Sequence, residues 1–283
     1  MSKKLIGFIG QGFIGKNYAN DFVSRGYEVI RYSLEPDHII NKEKISECDL
    51  VFIAVPTPTT KQGFDDSYLR AVLPLIGKGK SAVIKSTIIP GTCEKLQNTF
   101  PEIYIFHSPE FLAEKTAAFD AAHPTRNIVG YPIDNEEYKQ RAQEILDVLP
   151  VAPVSFICGA KEAELIKYAS NCFLMTKVVY ANILYDLAAK ERLDWDKIRA
   201  GMGGDPRIGM SHLNPIDQSG VDGKIGRGAG GHCFVKDFVA LRMYAEESGL
   251  DPESLNVLKS VENKNIELLK GSGKDLDLLA SIY

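Results

Sequence analysis

The chain has 283 residues, of which 45% are hydrophobic and 25% charged, and a formal net charge of −4. This is the composition of an ordinary globular protein with one large or two smaller domains. The charge argues against nucleic acid as a partner, because neutralising phosphates needs clustered positive surface. The longest uninterrupted apolar run is Leu50 to Val55, six residues, so no membrane partner is expected. The opening MSKKLIGFIG runs straight into a strand pattern, without a separate leader-like apolar region. Five cysteines (Cys48, Cys93, Cys158, Cys172, Cys233) are widely spaced and form no CxxC pair. That usage fits reduced thiols, a cytoplasmic location and no metal site.

In chain order, Lys4 to Ile9 is an apolar run followed by Gly10-Gln11-Gly12-Phe13-Ile14-Gly15, an amphipathic stretch to Arg25, and Gly26 as a stop. Tyr27 to Tyr32 reads as a second strand. Strand, GxGxxG, helix and strand within about thirty residues is the dinucleotide-binding arrangement. Gly10 makes the tight turn, Gly12 admits the pyrophosphate, and Gly15 lets helix and strand pack closely. The helix start, with Phe13 and Ile14, then offers amides and a positive dipole end to the phosphates. The acid that normally holds the adenosine ribose is replaced by Ser33, with Arg31 before it and Glu35 and Asp37 after it. NAD is the expected cofactor, and NADP stays open on these residues alone.

Further apolar runs at Leu50 to Val55, Ala82 to Lys85, Tyr104 to His107 and Asn127 to Gly130 continue the alternation. They predict an α/β fold with a doubly wound parallel sheet. Polar segments follow three of them: Pro56-Thr57-Pro58, Ser86-Thr87 and His107-Ser108-Pro109-Glu110. Ligands collect at such strand ends, although Pro, Ser and Thr are also common in plain turns.

Lys161 to Lys190 has helix-period apolar positions and no Gly or Pro, and predicts one long helix. Lys167 and Asn171 share a face of it at i,i+4 spacing; Glu110 and Glu114, and Cys233 and Asp237, repeat that spacing. After Pro206 the chain reads as a long glycine-rich loop crossing a ligand site, up to GRGAGGHCFVKD at Gly226 to Asp237. Ala240 to Gly249 and Leu255 to Lys270 look helical, and the DLDLL near the C-terminus reads as a frayed end. A cysteine behind glycines, with Lys236 and Asp237 one turn on, is the pattern of a nucleophile beside a bound substrate. Two domains are expected, a dinucleotide-binding unit over 1–158 and an all-helical unit over 159–283.

The ordered motifs GFIGQGFIG, VPTP, DDSYL, KSTIIPGT, SPEFLAE, PTRNIVG, EAELIKYASN, DPRIGM and GGHCFVKD resemble those of the nucleotide-sugar 6-dehydrogenases, especially the branch acting on UDP-glucose. The resemblance implies oxidation of a sugar C6 alcohol to a carboxylate in two NAD-dependent steps, UDP-glucose to UDP-glucuronate. It makes Cys233 the nucleophile of a thiohemiacetal and thioester, with Lys167 and Asn171 polarising the oxygen. Asp237 and Thr87 would hold water or relay protons, and Glu110 and Glu114 would assist hydrolysis. Ser33, Thr57, Thr87, Glu114 and Lys236 would join the glycines at the cofactor. Glu110, Phe111, Leu112, Ala113, Lys167, Asn171, Asn214 and Gly230 would contact the UDP-sugar. A homodimer through the 161–190 helix is also implied.

Family members ordinarily continue into a third, nucleotide-binding domain, so much of the uridine-diphosphate grip is expected to be missing or supplied otherwise. The segment from Pro215 to Gly230 is longer than in relatives that share the RIGM…NP pattern, and Lys224 and Arg227 are expected to contact diphosphate there. His232 and the GGHC sequence instead resemble the N-acetylmannosamine branch. A two-electron β-hydroxyacid dehydrogenase, or an NAD-binding remnant acting as an interaction protein, is the alternative outcome.

Overall fold

The computed structural model describes residues 4–60, 63–220 and 223–283, with the side chain of His232 outside the described set. The chain divides into two units: one runs to Pro58 and resumes over Phe64–Lys167, the other comprises Thr59–Gly63 and Tyr168–Tyr283. Eleven strands and eleven α-helices are described. The first unit contains β1 (Ile6–Ile9), α1 (Phe13–Ser24), β2 (Val29–Tyr32), α2 (Pro36–Ile39) and β3 (Leu50–Ile53). A two-residue ladder, β4 (Thr59–Thr60) with β5 (Gly63–Phe64), falls at the division between units. The first unit continues with α3 (Ser67–Val72), β6 (Ser81–Ile84), α4 (Thr92–Thr99), β7 (Tyr104–His107), α5 (Ala117–Ala122), β8 (Arg126–Tyr131), α6 (Glu136–Val148) and β9 (Val154–Gly159). Helix α7 (Ala160–Lys190) carries the chain out of this unit and into the second. There follow α8 (Trp195–Gly203), β10 (Ile216–Gln218), β11 (Ile225–Arg227), α9 (Gly231–Glu247), α10 (Pro252–Ser272) and α11 (Leu276–Ile282).

The seven-stranded sheet has the order β2-β1-β3-β6-β7-β8-β9. Its central strands are short runs of β-branched and aromatic residues buried on both faces, which is what a sheet covered by helices on each side requires. Alternation sorts their side chains: Leu50, Phe52, Val83 and Phe106 join one core, whereas Val51, Ile53, Ala82, Ile84 and Ile105 join the other. Phe8 stacks on Phe52 in the first of these, with ring centroids 5.1 Å apart. The expected all-parallel order has one exception, because β8 meets β7 antiparallel through His107 and Gly130. β9 then runs parallel to β8 through the α6 crossover. Gly130 also lets α7 start close to the sheet, since a Cβ there would lie 2.7 Å from the Ala163 methyl.

Two expectations change in the second unit. The stretch after Pro206 is not one long loop: it contains the antiparallel β10–β11 ladder, and α9 starts at Gly231, nine residues before Ala240. The DLDLL segment is not frayed but forms α11, because Leu279 and Ile282 are buried against Val235, Val239 and Leu269. A second cluster there joins Cys172, Met175 and Val178 of α7 to Ala229 and Phe238. By length and mean hydropathy (1.3) α7 meets the criterion for a membrane span, but so does the core helix of a soluble protein.

Candidate active site

In the first unit the register brings four strand ends into one row. Ile9, Ile53, Ile84 and His107 are cross-strand partners in turn. Gly10, Ala54, Lys85 and Ser108 therefore come next along a single edge. Backbone bonds extend the ladder by one step: Ala54 N donates to Ile9 O and Lys85 N to Ile53 O, both at 2.8 Å, and Ser108 N to Ile84 O at 2.9 Å. Gly10 adopts φ +89°, and a Cβ there would sit 2.2 Å from the Ala54 carbonyl oxygen. Gly15 is closed by the Gly10 carbonyl oxygen at 1.9 Å from its would-be Cβ. Gly12 is the open one: nothing lies within 4 Å of a Cβ built on it, and no side chain caps the α1 amides beyond it. A turn glycine, a packing glycine and a bare helix start are what a pyrophosphate needs. Phe13, 43% exposed, and the partly buried Ile14 open that helix. Ser33 follows β2, its hydroxyl 3.3 Å from both Glu35 N and the His38 ring.

Beside this row is a buried charged cluster. Lys167 Nζ donates to Glu110 Oε1 at 2.8 Å, with side chains 5% and 6% exposed. The other Glu110 oxygen accepts from Leu112 N at 2.7 Å and so fixes the start of Phe111, Leu112 and Ala113. Lys85, 3% exposed, donates to Ser108 Oγ at 3.0 Å and lies 4.4 Å over the Tyr18 ring. Burial pushes its ammonium down to about 7, against the pull of Glu110. His107 is wholly buried, bonded to Ile84 O at 3.0 Å, and burial lowers it to about 3, which keeps it neutral. Thr57 Oγ1 donates to Thr87 O at 2.8 Å and ties two strand-end loops together. The Arg126 guanidinium lies 3.6 Å from the Phe111 ring centroid. Phe111, Leu112, Ala113, Tyr18, Thr116 and Arg126 are among the residues lining a cavity of about 260 Å³. Glu114 departs from expectation: it is exposed and starts a single 3₁₀ turn (Glu114–Thr116), whereas Glu110 precedes any helix and is drawn inward by Lys167 and Leu112 N. The two acids share no helix face.

The second unit holds a separate polar group. Asn171 Nδ2 donates to Asp237 Oδ2 at 2.6 Å, and Lys236 Nζ reaches Asp237 Oδ1 at 2.5 Å. Asp237 is 1% exposed. Cys233 is exposed in the first turn of α9, one turn before Asp237, so their i,i+4 relation is helical. Asn214 is exposed and accepts from Arg199 of α8.

The glycine-rich run is crowded by the chain itself. A Cβ on Gly226 would meet Ser272 Oγ at 2.7 Å, and one on Gly230 would meet Asp275 Oδ2 at 2.0 Å and Ser219 Oγ at 2.2 Å. On that side the glycines admit residues 219 and 272–275, not a ligand. Arg227 also corrects an expectation, because its guanidinium is committed to α7: Nη1 to Asp186 at 2.7 Å and Nε to Asn182 Oδ1 at 2.9 Å. Lys224 remains exposed.

Sequence reasoning missed Lys85, although a lysine ending the apolar run AVIK was its signal. It also missed Glu164, fully buried on α7, which accepts from Gly91 N at 2.5 Å and Cys93 N at 2.8 Å and so caps α4. Burial raises that carboxyl to about 8 against those two donors. Lys274 and Asp275 carried no readable signal. Among the described residues no three His, Cys, Asp or Glu side chains group as a metal site.

Comparison with known proteins places these features. Residues 34–149 match the NAD-binding domain, and residues 161–266 the central domain, of the UDP-glucose/GDP-mannose dehydrogenase family. The UDP-glucose 6-dehydrogenase of Rickettsia conorii is 32% identical over 280 residues, covering 90% of this chain and 62% of that protein. The chain thus spans about three fifths of that relative. A UDP-glucose dehydrogenase structure from Pyrobaculum islandicum superposes with a TM-score of 0.79 at 26% identity, over 94% of this chain and 68% of that one. A Mycobacterium tuberculosis 3-hydroxyisobutyrate dehydrogenase shares the fold alone, with a TM-score of 0.69 at 17% identity over 95% and 94% of the two chains. With an NAD-binding domain and the central domain in sequence, the chain belongs to the UDP-glucose/GDP-mannose dehydrogenase family.

Proposed function

We propose that the chain oxidises the C6 alcohol of UDP-glucose to the carboxylate in two successive steps through Cys233. The observation that carries this reading is the second unit's own arrangement: an exposed thiol in the first turn of α9, one turn from a buried carboxylate held by Asn171 and Lys236. NAD, when bound, supplies the two-electron acceptor for each step. The residues at Gly10, Gly12 and Gly15 fit its pyrophosphate, and Thr57 and Thr87 belong to the strand-end loops next to them.

The chain's side chains supply the rest. In the first step the alcohol proton passes to a water held by Asp237, and the Lys167 ammonium and Asn171 amide stabilise the negative charge developing on oxygen. An aldehyde has to gain a nucleophile before it can be oxidised again. The Cys233 thiolate adds to its carbon, and the second oxidation leaves a thioester. Water then attacks the thioester, releasing the carboxylate and regenerating the thiol, with Glu110 and Glu114 as candidate bases. One sugar, two NAD and one water thus give one carboxylate, two NADH and three protons.

Counting NADH tests this directly. Two per UDP-glucose is the expected yield, and Cys233→Ala is expected to lower turnover by about 10²- to 10⁴-fold, the range for loss of a directly acting group. A yield of one, or an unimpaired Cys233→Ala protein, would overturn the role of the sulfur.

We also propose a cytoplasmic homodimer. On α7, Phe173, Thr176, Tyr180, Ile183 and Leu187 are all exposed and follow alternating three- and four-residue steps, the spacing of a helix–helix seam. Sedimentation at twice the 31.2 kDa chain mass is expected, and a monomer at micromolar concentration would refute it.

A further inference from the structure

The second unit holds the helix bearing Cys233 by a contact from far along the chain. α9 starts behind Gly230, which makes no side-chain cap. The first amides of a helix have no partner within it. Asp275 supplies one: its Oδ2 accepts from Gly231 N at 2.8 Å and from Ser219 Oγ at 2.6 Å. Asp275 sits at φ 51° and ψ 40°, a left-handed conformation uncommon outside glycine but open to Asp and Asn, and its surroundings hold it there.

Those surroundings are visible. Lys274, 2% exposed, donates to the carbonyls of Asp217 at 2.9 Å and Gly228 at 3.0 Å. Its neighbour thus receives donors while Lys274 serves acceptors, and the two side chains grip both kinds of backbone group on the approach to Cys233. Behind them α11 anchors the segment through Leu279 and Ile282. Gly230 has to be glycine for this grip, since its Cβ would overlap both Asp275 and Ser219.

We propose that Asp275, seated by Lys274, caps α9 and is a positioning residue for Cys233. The inference deepens the dehydrogenase reading and rests on it only for the consequence in turnover. The carboxylate acts in two ways. It fixes the first turn of α9, and it brings a negative charge to the positive helix end that favours a thiolate. Among the described residues, charges near this approach include Lys274 beside it, Asp217, whose carbonyl Lys274 also holds, and Lys236 and Asp237 on α9 itself. The carboxylate therefore trades some reactivity of the sulfur for a defined position.

Two variants of the full chain separate these effects. Asp275→Asn keeps an acceptor and tolerates the left-handed conformation but loses the charge; Asp275→Gly tolerates the conformation and loses both. Two readouts need neither substrate nor cofactor: deuterium exchange in the peptide spanning 228–235, and alkylation of Cys233 by iodoacetamide at pH 7, followed by mass spectrometry. In Asp275→Asn, exchange is expected to match wild type and alkylation to rise about two- to fivefold. In Asp275→Gly, exchange in that peptide is expected to rise about fivefold, as for loss of a cap. Unchanged exchange in Asp275→Gly, or alkylation in Asp275→Asn no faster than wild type, overturns the proposal. If Asp275→Gly does not fold, the Asp275→Asn alkylation rate alone decides. A chain that fails to oxidise UDP-glucose leaves both readouts valid, so failure of the function and failure of this inference are told apart.

Discussion

The two units solve the problem of holding charge in opposite ways. In the first, Lys167 and Glu110 are buried against each other and Lys85 is buried beside Ser108, on strand ends and a helix start that the sheet already fixes. In the second, the sulfur is exposed and the turn before it is fixed by a lysine and an aspartate that follow α10. A buried ion pair is paid for in desolvation and is costly to break, whereas an exposed group needs only a scaffold. Rigid charge and accessible sulfur are thus built from different materials, and each should fail in its own way.

The largest expected effect follows from breaking the first arrangement. Lys167→Met leaves the Glu110 carboxylate buried without its ion-pair partner, with the neutral Leu112 amide still donating to it, and is expected to cost about 3–5 kcal/mol. Adding Glu110→Gln should recover a substantial part of that loss. The matching change in the second unit, Asn171→Ala, removes one hydrogen bond from Asp237 while Lys236 remains, and is expected to cost about 1–2 kcal/mol. Urea titrations of the three proteins check this. Equal costs for Lys167→Met and Asn171→Ala would erase the contrast between the units.

How far these differences were legible in sequence depends on how local their causes are. The GxGxxG turn, the strands Leu50–Ile53 and Tyr104–His107, and α7 are written in contiguous patterns, so apolar runs and periodicity located them. Lys167 and Glu110 were each named as site residues by resemblance, but neither their pairing nor their burial was, because both belong to the packed sheet and not to the spacing. Glu110 and Glu114 show the limit of spacing: four residues apart means one face only where a helix exists, and none starts before Glu114. Glycines between Gly226 and Gly231 signalled close approach correctly, yet what approaches is the segment at 272–275, some 45 residues away in sequence. α11 was misread because its two apolar anchors, Leu279 and Ile282, are too few to give a period and are fixed by packing against distant elements, chiefly α9 and α10.

The last expected effect, read against pH instead of urea, concerns Lys85 and sharpens the account of the first unit. Its folded-state value, about 7, lies below the 10.5 of an unfolded lysine, so the unfolded chain binds the proton more tightly. Stability from this group is therefore complete above pH 10.5 and is lost as pH falls through 7. Glu164 acts in the opposite sense. Its folded value, raised to about 8 from 4.5, means that stability falls as pH climbs through that interval. A wild-type curve alone would mix the two, and the difference from Lys85→Met isolates the lysine. Thermal melts from pH 7 to 10 are expected to show the wild type gaining on Lys85→Met by about 2 kcal/mol, less than the loss in Lys167→Met, because the Tyr18 ring and Ser108 hydroxyl already stabilise the ammonium. Parallel curves would mean that Lys85 keeps its proton as tightly inside the fold as in the unfolded chain, and that burial does not shift it.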